Sequence, residues 1–185
     1  MQHLLGEGRL LDEQGNLAEA GYATSLVKAY SRDRVKASAL RIKEWDYYLI
    51  HNDRFGVALT VADNSYMGLV SISFLDFVRG TEVTKSPMLL LPMGRLHMPS
   101  TSEEGDVRAG GRGWNFHFEK QKDRRILRAS MENFSQGKPI RLKVELDREP
   151  QESMVIAAPF ERKRAFYYNQ KIIGMRARGA VEVEG

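Results

Sequence analysis

Arg41-Ile42-Lys43-Glu44-Trp45-Asp46-Tyr47-Tyr48-Leu49-Ile50-His51 is the stretch on which the fold turns. Side chains alternate sides along an extended chain. Trp45, Tyr47, Leu49 and His51 therefore share one face, and Asp46, Tyr48 and Ile50 the other. Asn52-Asp53 supplies turn residues. Arg54 to Ala62 returns, with Phe55, Val57, Leu59 and Val61 on one face and Gly56, Ala58 and Thr60 on the other. Asp63-Asn64 makes a second turn before Tyr66 to Val78, which is rich in Val, Ile and Phe. Three such segments joined by short turns read as a β-meander.

The pattern continues outward. Thr81 to Lys85 and Met88 to Leu91 are short strand candidates around Pro87. Residues 93–112, rich in Gly, Pro, Ser and charge, read as a mobile loop, long for a compact domain. Trp114 to Gln121 sets Trp114, Phe116 and Phe118 against Asn115, His117 and Glu119. Arg125 to Met131 pairs back through Lys122-Asp123-Arg124. Pro139 to Asp147 alternates Ile140, Leu142, Val144 and Leu146 with charged neighbours. Ser153 to Ala158 and Arg164 to Tyr168 add two more strands. Residues 1–24 look irregular, and a short helix over Ala18 to Ala29 has weak caps. About eight to ten strands and almost no helix make the chain all-β. Sequential hairpins suit an antiparallel barrel or a sandwich, and closure into a barrel removes the edge strands. The expected organisation is an irregular N-terminal segment over 1–24, a β-barrel domain over 25–180 and a tail over 181–185.

Composition bounds the function. The 185 residues suit one domain, and 42% apolar with 28% charged side chains is a globular composition rather than a disordered one. The chain has no cysteine, which excludes disulfides, thiolate metal sites and cysteine nucleophiles. No apolar run is long enough to span a bilayer, and the start lacks the pattern of a secretory signal. A cytoplasmic protein without a membrane span is expected. Residues 1–92 carry 10 basic and 11 acidic side chains, and residues 93–185 carry 18 and 13. Acids interleave with the bases of the second half, so a solvated surface is expected there rather than a nucleic-acid face. Phosphate-binding loops, the Gly-x-Ser-x-Gly elbow and His-Glu-x-x-His are missing.

Two segments carry a family resemblance. One runs from Arg41 through Trp45, Ile50, Phe55 and Ala62-Asp63-Asn64-Ser65-Tyr66 to Phe74-Leu75-Asp76-Phe77. The other is Arg164-Ala-Phe166-Tyr-Tyr-Asn169-Gln-Lys-Ile172. Together, over about residues 21–180, they resemble the family called domain of unknown function 2804. The resemblance implies the N-terminal half of proteins about twice as long. That family is distantly similar to the carotenoid hydratase and AttH-like group, whose members carry two lipocalin-like barrels in tandem. The implied fold is an antiparallel lipocalin-like (calycin-type) barrel, one half of a tandem, with an apolar ligand. The implied partners are that ligand and either a second copy, as a homodimer, or the missing C-terminal half. An exposed face meant for another half can drive dimerisation.

The candidate chemistries follow from the strand faces. Trp45, Tyr48, Trp114, His117 and Tyr168 are the expected ligand-binding residues, since aromatic bodies with polar tips suit a pocket wall. Tyr48, His117 and Tyr168 would orient a lipid-like or isoprenoid-like molecule inside the barrel. Burial of its apolar area at about 25 cal/mol per Å² would hold it there. Asp46 and Asp76 are the candidate acids for an alternative reading, protonation and hydration of an apolar substrate. Asp76, inside an apolar run, also fits a rim ion pair with Arg79 or Arg54. Asn115-x-His117-x-Glu119 projects from one face but lacks a third converging ligand, so no metal and no cofactor is expected. A dimerising scaffold without catalysis is the third reading.

Overall fold

The computed structural model describes residues 3–183. The first two residues of the N-terminal segment and the last two of the expected tail lie outside them. The chain opens with β1 (Gly8–Arg9), β2 (Gly21–Ala23) and β3 (Lys28–Ala29) and two short 3-10 turns, Arg32–Arg34 and Ala39–Arg41. Then come β4 (Glu44–His51), β5 (Phe55–Asp63), β6 (Met67–Asp76), β7 (Thr81–Lys85) and β8 (Met88–Leu90). The second half holds β9 (Val107–Gly111), β10 (Trp114–Lys120), β11 (Arg124–Ser135), β12 (Lys138–Asp147), β13 (Met154–Pro159), β14 (Phe166–Lys171) and β15 (Arg176–Val183). The protein is all-β, and the long strands pair antiparallel. Over Ala18 to Ala29, where a weakly capped helix was one option, β2 and β3 form.

Two five-stranded sheets make the body. One runs β4-β5-β6-β7 with β8 on β6, and the other β15-β12-β11-β10-β9. A smaller sheet, β14-β13-β2, ties Val155-Ile156-Ala157 to Gly21-Tyr22-Ala23, so the N-terminal segment is paired into the fold. None of these sheets closes on itself. The expected barrel ring of hydrogen bonds is therefore not formed among the described residues. The strand that follows β12 in sequence leaves to pair with β2 and β14, and β15 takes the free edge of β12. Strands that a meander barrel would use for closure are spent elsewhere.

The two large sheets face each other over one contiguous apolar core. Val57, Leu59 and Val61 of β5 lie opposite Phe74, Ile72 and Val70 of β6. From the other sheet come Phe116, Phe118, Leu127, Ile140 and Val144. Leu59, Val61, Val70, Ile72, Leu127 and Ile140 are 0% exposed, so none of them borders a void that admits water. The middle is filled rather than hollow, which removes the greasy interior that the barrel reading required. Each such side chain contributes roughly 1.5–3 kcal/mol by burial.

The segment expected to be a mobile loop is divided and held. Residues 107–111 form β9, with Val107 and Ala109 buried inward. The preceding turns are pinned by Asp63, a carboxylate with 0% exposure that accepts the Gly94 N–H at 2.8 Å and the Ser65 N–H at 2.9 Å. Leu96 and Met98 pack on the core beside it.

Candidate functional site

Strand register places a charged row at one end of the inner space. On β11, Arg125 shares its parity with the buried Leu127, Ala129 and Met131, so it aims inward, in a row with Leu146 and Ala177. It is 6% exposed. On β4, pairing of Tyr48 with Leu59 and of Asp46 with Val61 turns both side chains to the same inner space. Tyr48 sets its ring edge on Phe118, with centroids 5.0 Å apart, and its hydroxyl on the polar row. Its body belongs to the core and its tip to the site.

The row is a chain of hydrogen bonds. The Arg125 guanidinium donates from Nη1 to the Tyr48 hydroxyl oxygen at 3.3 Å, and from Nη2 to the Ser102 carbonyl and Glu149 Oε1, both at 3.0 Å. Lys120 Nζ donates to Glu149 Oε2 at 2.9 Å. The Asp46 carboxylate faces the same row, close enough to Tyr48 and Arg125 for both to act on its charge. Arg125 Nε is buried with no partner among the described residues. A buried cation is costly unless paired, and here Glu149 and Asp46 supply the opposing charge.

The same burial sets the titration of the row. Burial pushes the Asp46 carboxyl up to about 6, against the pull of the Arg125 charge and the Tyr48 hydrogen bond. Burial, with the Asp46 charge, raises the Tyr48 hydroxyl well above the ordinary phenol range. Burial works upward on Glu149 too, but the Lys120 hydrogen bond and the Arg125 charge outweigh it and hold that carboxyl low.

Beyond the row the molecule opens into a cleft of about 700 Å³. Its walls are the β10–β11 turn, the β12–β13 connection, residues 102–103, the end of β14 and Ser25-Leu26. Ser102 donates to Gln170, which in turn donates to Ser153 Oγ at 2.9 Å, so the walls are cross-tied. Leu26, Pro150 and Ile172 give the cleft an apolar side, and Lys120 and Glu149 line it near the row.

The expected site residues scatter. Tyr48 and Asp46 meet in the row. Trp45 points outward from β4, 41% exposed, with the Tyr167 ring 6.1 Å away. Trp114 faces inward but at the far end of β10, edge-on to Phe116 at 6.1 Å. His117 lies on the outer face of its sheet and shares a hydrogen bond with Asp106 at 2.9 Å. That bond, with Arg108, holds the Asp106 carboxyl below its usual range against burial. Tyr168 belongs to the smaller core around Leu10 and Val155, and donates to the Lys28 carbonyl at 3.1 Å. Asp76 ends β6, where its carboxylate accepts the Val78 and Arg79 N–H groups at 3.0 and 2.9 Å.

Three residues of the row were not among the expected ones: Lys120, Arg125 and Glu149. Arg125 carried a signal, a guanidinium at the parity of Leu127, Ala129 and Met131. Lys120 shares the parity of Phe116 and Phe118 on β10. Glu149 sits in a connection, where no periodicity applies. Among the described residues no group of three or more acids and histidines is placed to hold a metal ion. No helix among them is long and apolar enough to cross a membrane.

Comparison with known proteins finds no match among curated proteins and none among solved structures. A family model described as a domain of unknown function, DUF2804, matches residues 2–185, essentially the whole chain, and the protein belongs to that family.

Proposed function

We propose that this protein binds a small lipid-like or isoprenoid-like molecule with an oxygen-bearing head group, at the cleft beyond the charged row. The head group meets Lys120, whose ammonium has three donors and spends one on Glu149. The apolar part rests on Leu26, Pro150 and Ile172. With the core filled, this reading sets the ligand at the open end of the sheets rather than between them. The observation that carries the reading is Arg125, a nearly buried cation at an inward strand position beside a ligand-sized opening. An apolar side chain there would complete the core at lower desolvation cost.

The test is native mass spectrometry of the purified protein, with NMR titration by oleate as the probe. A co-purifying adduct is expected, or amide shifts concentrated at Lys120, Ser153 and Ile172. Both should weaken in Lys120→Ala. A protein at its bare sequence mass, whose cleft amides ignore oleate, overturns the reading.

A second reading rests on one specific observation, the Asp46 carboxyl raised to about 6 by burial beside Tyr48. A carboxylic acid that titrates near neutrality in a half-buried site suits general-acid protonation of an alkene, followed by water addition. Arg125 stands between Asp46 and the cleft, so the reaction requires that side chain to swing aside. A co-purified molecule incubated with the protein in D2O would then gain the mass of one D2O, and Asp46→Asn would abolish the gain. An unchanged mass removes this reading and leaves binding.

A further inference from the structure

The outer faces of the two large sheets differ in kind. That of the second sheet carries Arg128, Lys143, Glu145, Asp147, Arg176 and Arg178, the composition of a face that meets water. On the first sheet the strand positions of the outer face include one carboxylate, Glu82, and one imidazole, His51. An extended sheet face so poor in charge marks a contact surface.

Its relief is ordered. Trp45, Tyr47 and Leu49 of β4 stand up as a ridge, 41%, 53% and 48% exposed. Beside them Ala58 and Thr60 of β5, with Ser71 and Ser73 of β6, form a trough of short side chains. Ser71 and Ser73 accept hydrogen bonds from the Ser86 and Thr84 hydroxyls at 2.9 and 2.7 Å. A ridge beside a parallel trough is self-complementary under two-fold rotation. The ridge of one copy fills the trough of the other, and the reverse. Four strands at about 4.8 Å spacing and about 30 Å length give a face of roughly 600 Å², which approaches the ~800 Å² per partner of a standard interface.

We propose that the Trp45-Tyr47-Leu49 face of the first sheet is a homodimer interface, in which two copies pack face to face about an axis near Thr60. The occupant is a second copy because the surface is nearly uncharged and carries both halves of the complementary relief. A differently charged partner would find little on it to pair with.

The absence of cysteine makes the test direct. Thr60→Cys places one thiol near the proposed axis, and Lys143→Cys places one on the opposite outer face as a control. Packed sheet faces stand about 10 Å apart, too far for a direct disulfide, so each thiol is read by its reaction with a maleimide: the first is expected to be protected at about 100 μM and to open on dilution to about 1 μM, and the second to react at both. Light scattering of the full chain at about 100 μM, where weak interfaces of this size associate, is expected to give twice the chain mass. Tyr47→Lys should weaken association at least tenfold with unchanged circular dichroism. If Tyr47→Lys does not fold, Leu49→Lys serves the same purpose. A wild-type monomer at that concentration overturns the proposal, as does a dimer in which the Lys143→Cys thiol is protected and the Thr60→Cys thiol is not.

Discussion

Arg125 and Glu149 form an ion pair, Nη2 to Oε1 at 3.0 Å, at the end of the inner space where Tyr48 and Asp46 also point. The other Glu149 oxygen holds Lys120 at 2.9 Å. One carboxylate thus serves two cations, and the three side chains are not interchangeable. Glu149→Ala strips both cations of their acceptor. It is expected to cost about 2–3 kcal/mol, short of the ~3–5 kcal/mol of a wholly buried pair because water reaches one side of Glu149. Arg125→Met instead fills the inward position with an apolar chain and leaves Glu149 to Lys120. Its expected cost is below about 1.5 kcal/mol. Urea unfolding of the two variants gives the order, and an Arg125→Met that is the less stable refutes the account of the row.

Asp46 makes a signed prediction. Its folded pKa, about 6, lies above the ordinary 3.8. Between those values the folded state binds the extra proton, so this group's contribution to stability falls as pH rises from about 4 to about 6. The full penalty, reached above that window, is roughly 3 kcal/mol for a shift of this size. Glu149 and Asp147, held low, act in the opposite direction, so the effect is read as a difference between variant and wild type. Asp46→Asn is expected to match wild type near pH 4 and to exceed it in melting temperature near pH 7.5. A variant less stable than wild type at both pH values would show that the carboxylate is well paired rather than penalised by burial.

What the sequence makes legible follows the same physics. In β5 one face is aliphatic and the other small, so parity names the core without ambiguity; in β6 Leu69 and Leu75 share the outer face with Ser71 and Ser73, and pairing with β5 decides which face turns inward. In β4 both faces are apolar. Trp45, Tyr47 and Leu49 compete with Tyr48 and Ile50, and only the register against β5 decides that Asp46 and Tyr48 turn inward. Within residues 107–111, Val107 and Ala109 do alternate, but two glycines and an arginine mask the strand. Arg176, Arg178 and Gly179 hide the period of β15 in the sequence. The strand exists through backbone pairing with β12, a tertiary fact. The site divides likewise. Arg125 could be placed inward by parity, whereas its meeting with Glu149 depends on a connection with no period.

Gly179 is required by that pairing. It lies across from Val144 on β12, with φ +153°, and a Cβ there would stand 2.1 Å from the Lys143 carbonyl oxygen. Backbone cannot yield as a side-chain end can, so β15 must move away. Val181 and Val183, which pack on the core, would move with it. Gly179→Ala is expected to cost about 1–3 kcal/mol in urea unfolding. It should also speed amide exchange across residues 176–183 while leaving β5 and β6 unchanged. Wild-type exchange in β15 would show that the close approach is not tight.

Asp63 holds the turns before β9 by the geometry of its two oxygens. One accepts the Ser65 N–H at 2.9 Å, and the other the Gly94 N–H at 2.8 Å. Asp63→Asn keeps the shape but turns one oxygen into an NH2 group. In either orientation of the amide a donor then faces a backbone donor, at Gly94 or at Ser65. A buried donor left without an acceptor costs about 1–3 kcal/mol. The conflict at Ser65 would strain the β5–β6 turn, so the amide settles with its NH2 toward Gly94. The expected outcome is faster amide exchange at Gly94 and Leu96, with β5 itself still protected, and a loss of stability in that range. The Met93 N–H, which donates to the Ser65 carbonyl at 3.1 Å, and the Leu91 N–H, which donates to the Tyr66 carbonyl at 3.2 Å, also tie this segment to the β5–β6 connection. If Asp63→Asn leaves exchange at Gly94 unchanged, those backbone bonds rather than the carboxylate hold the segment.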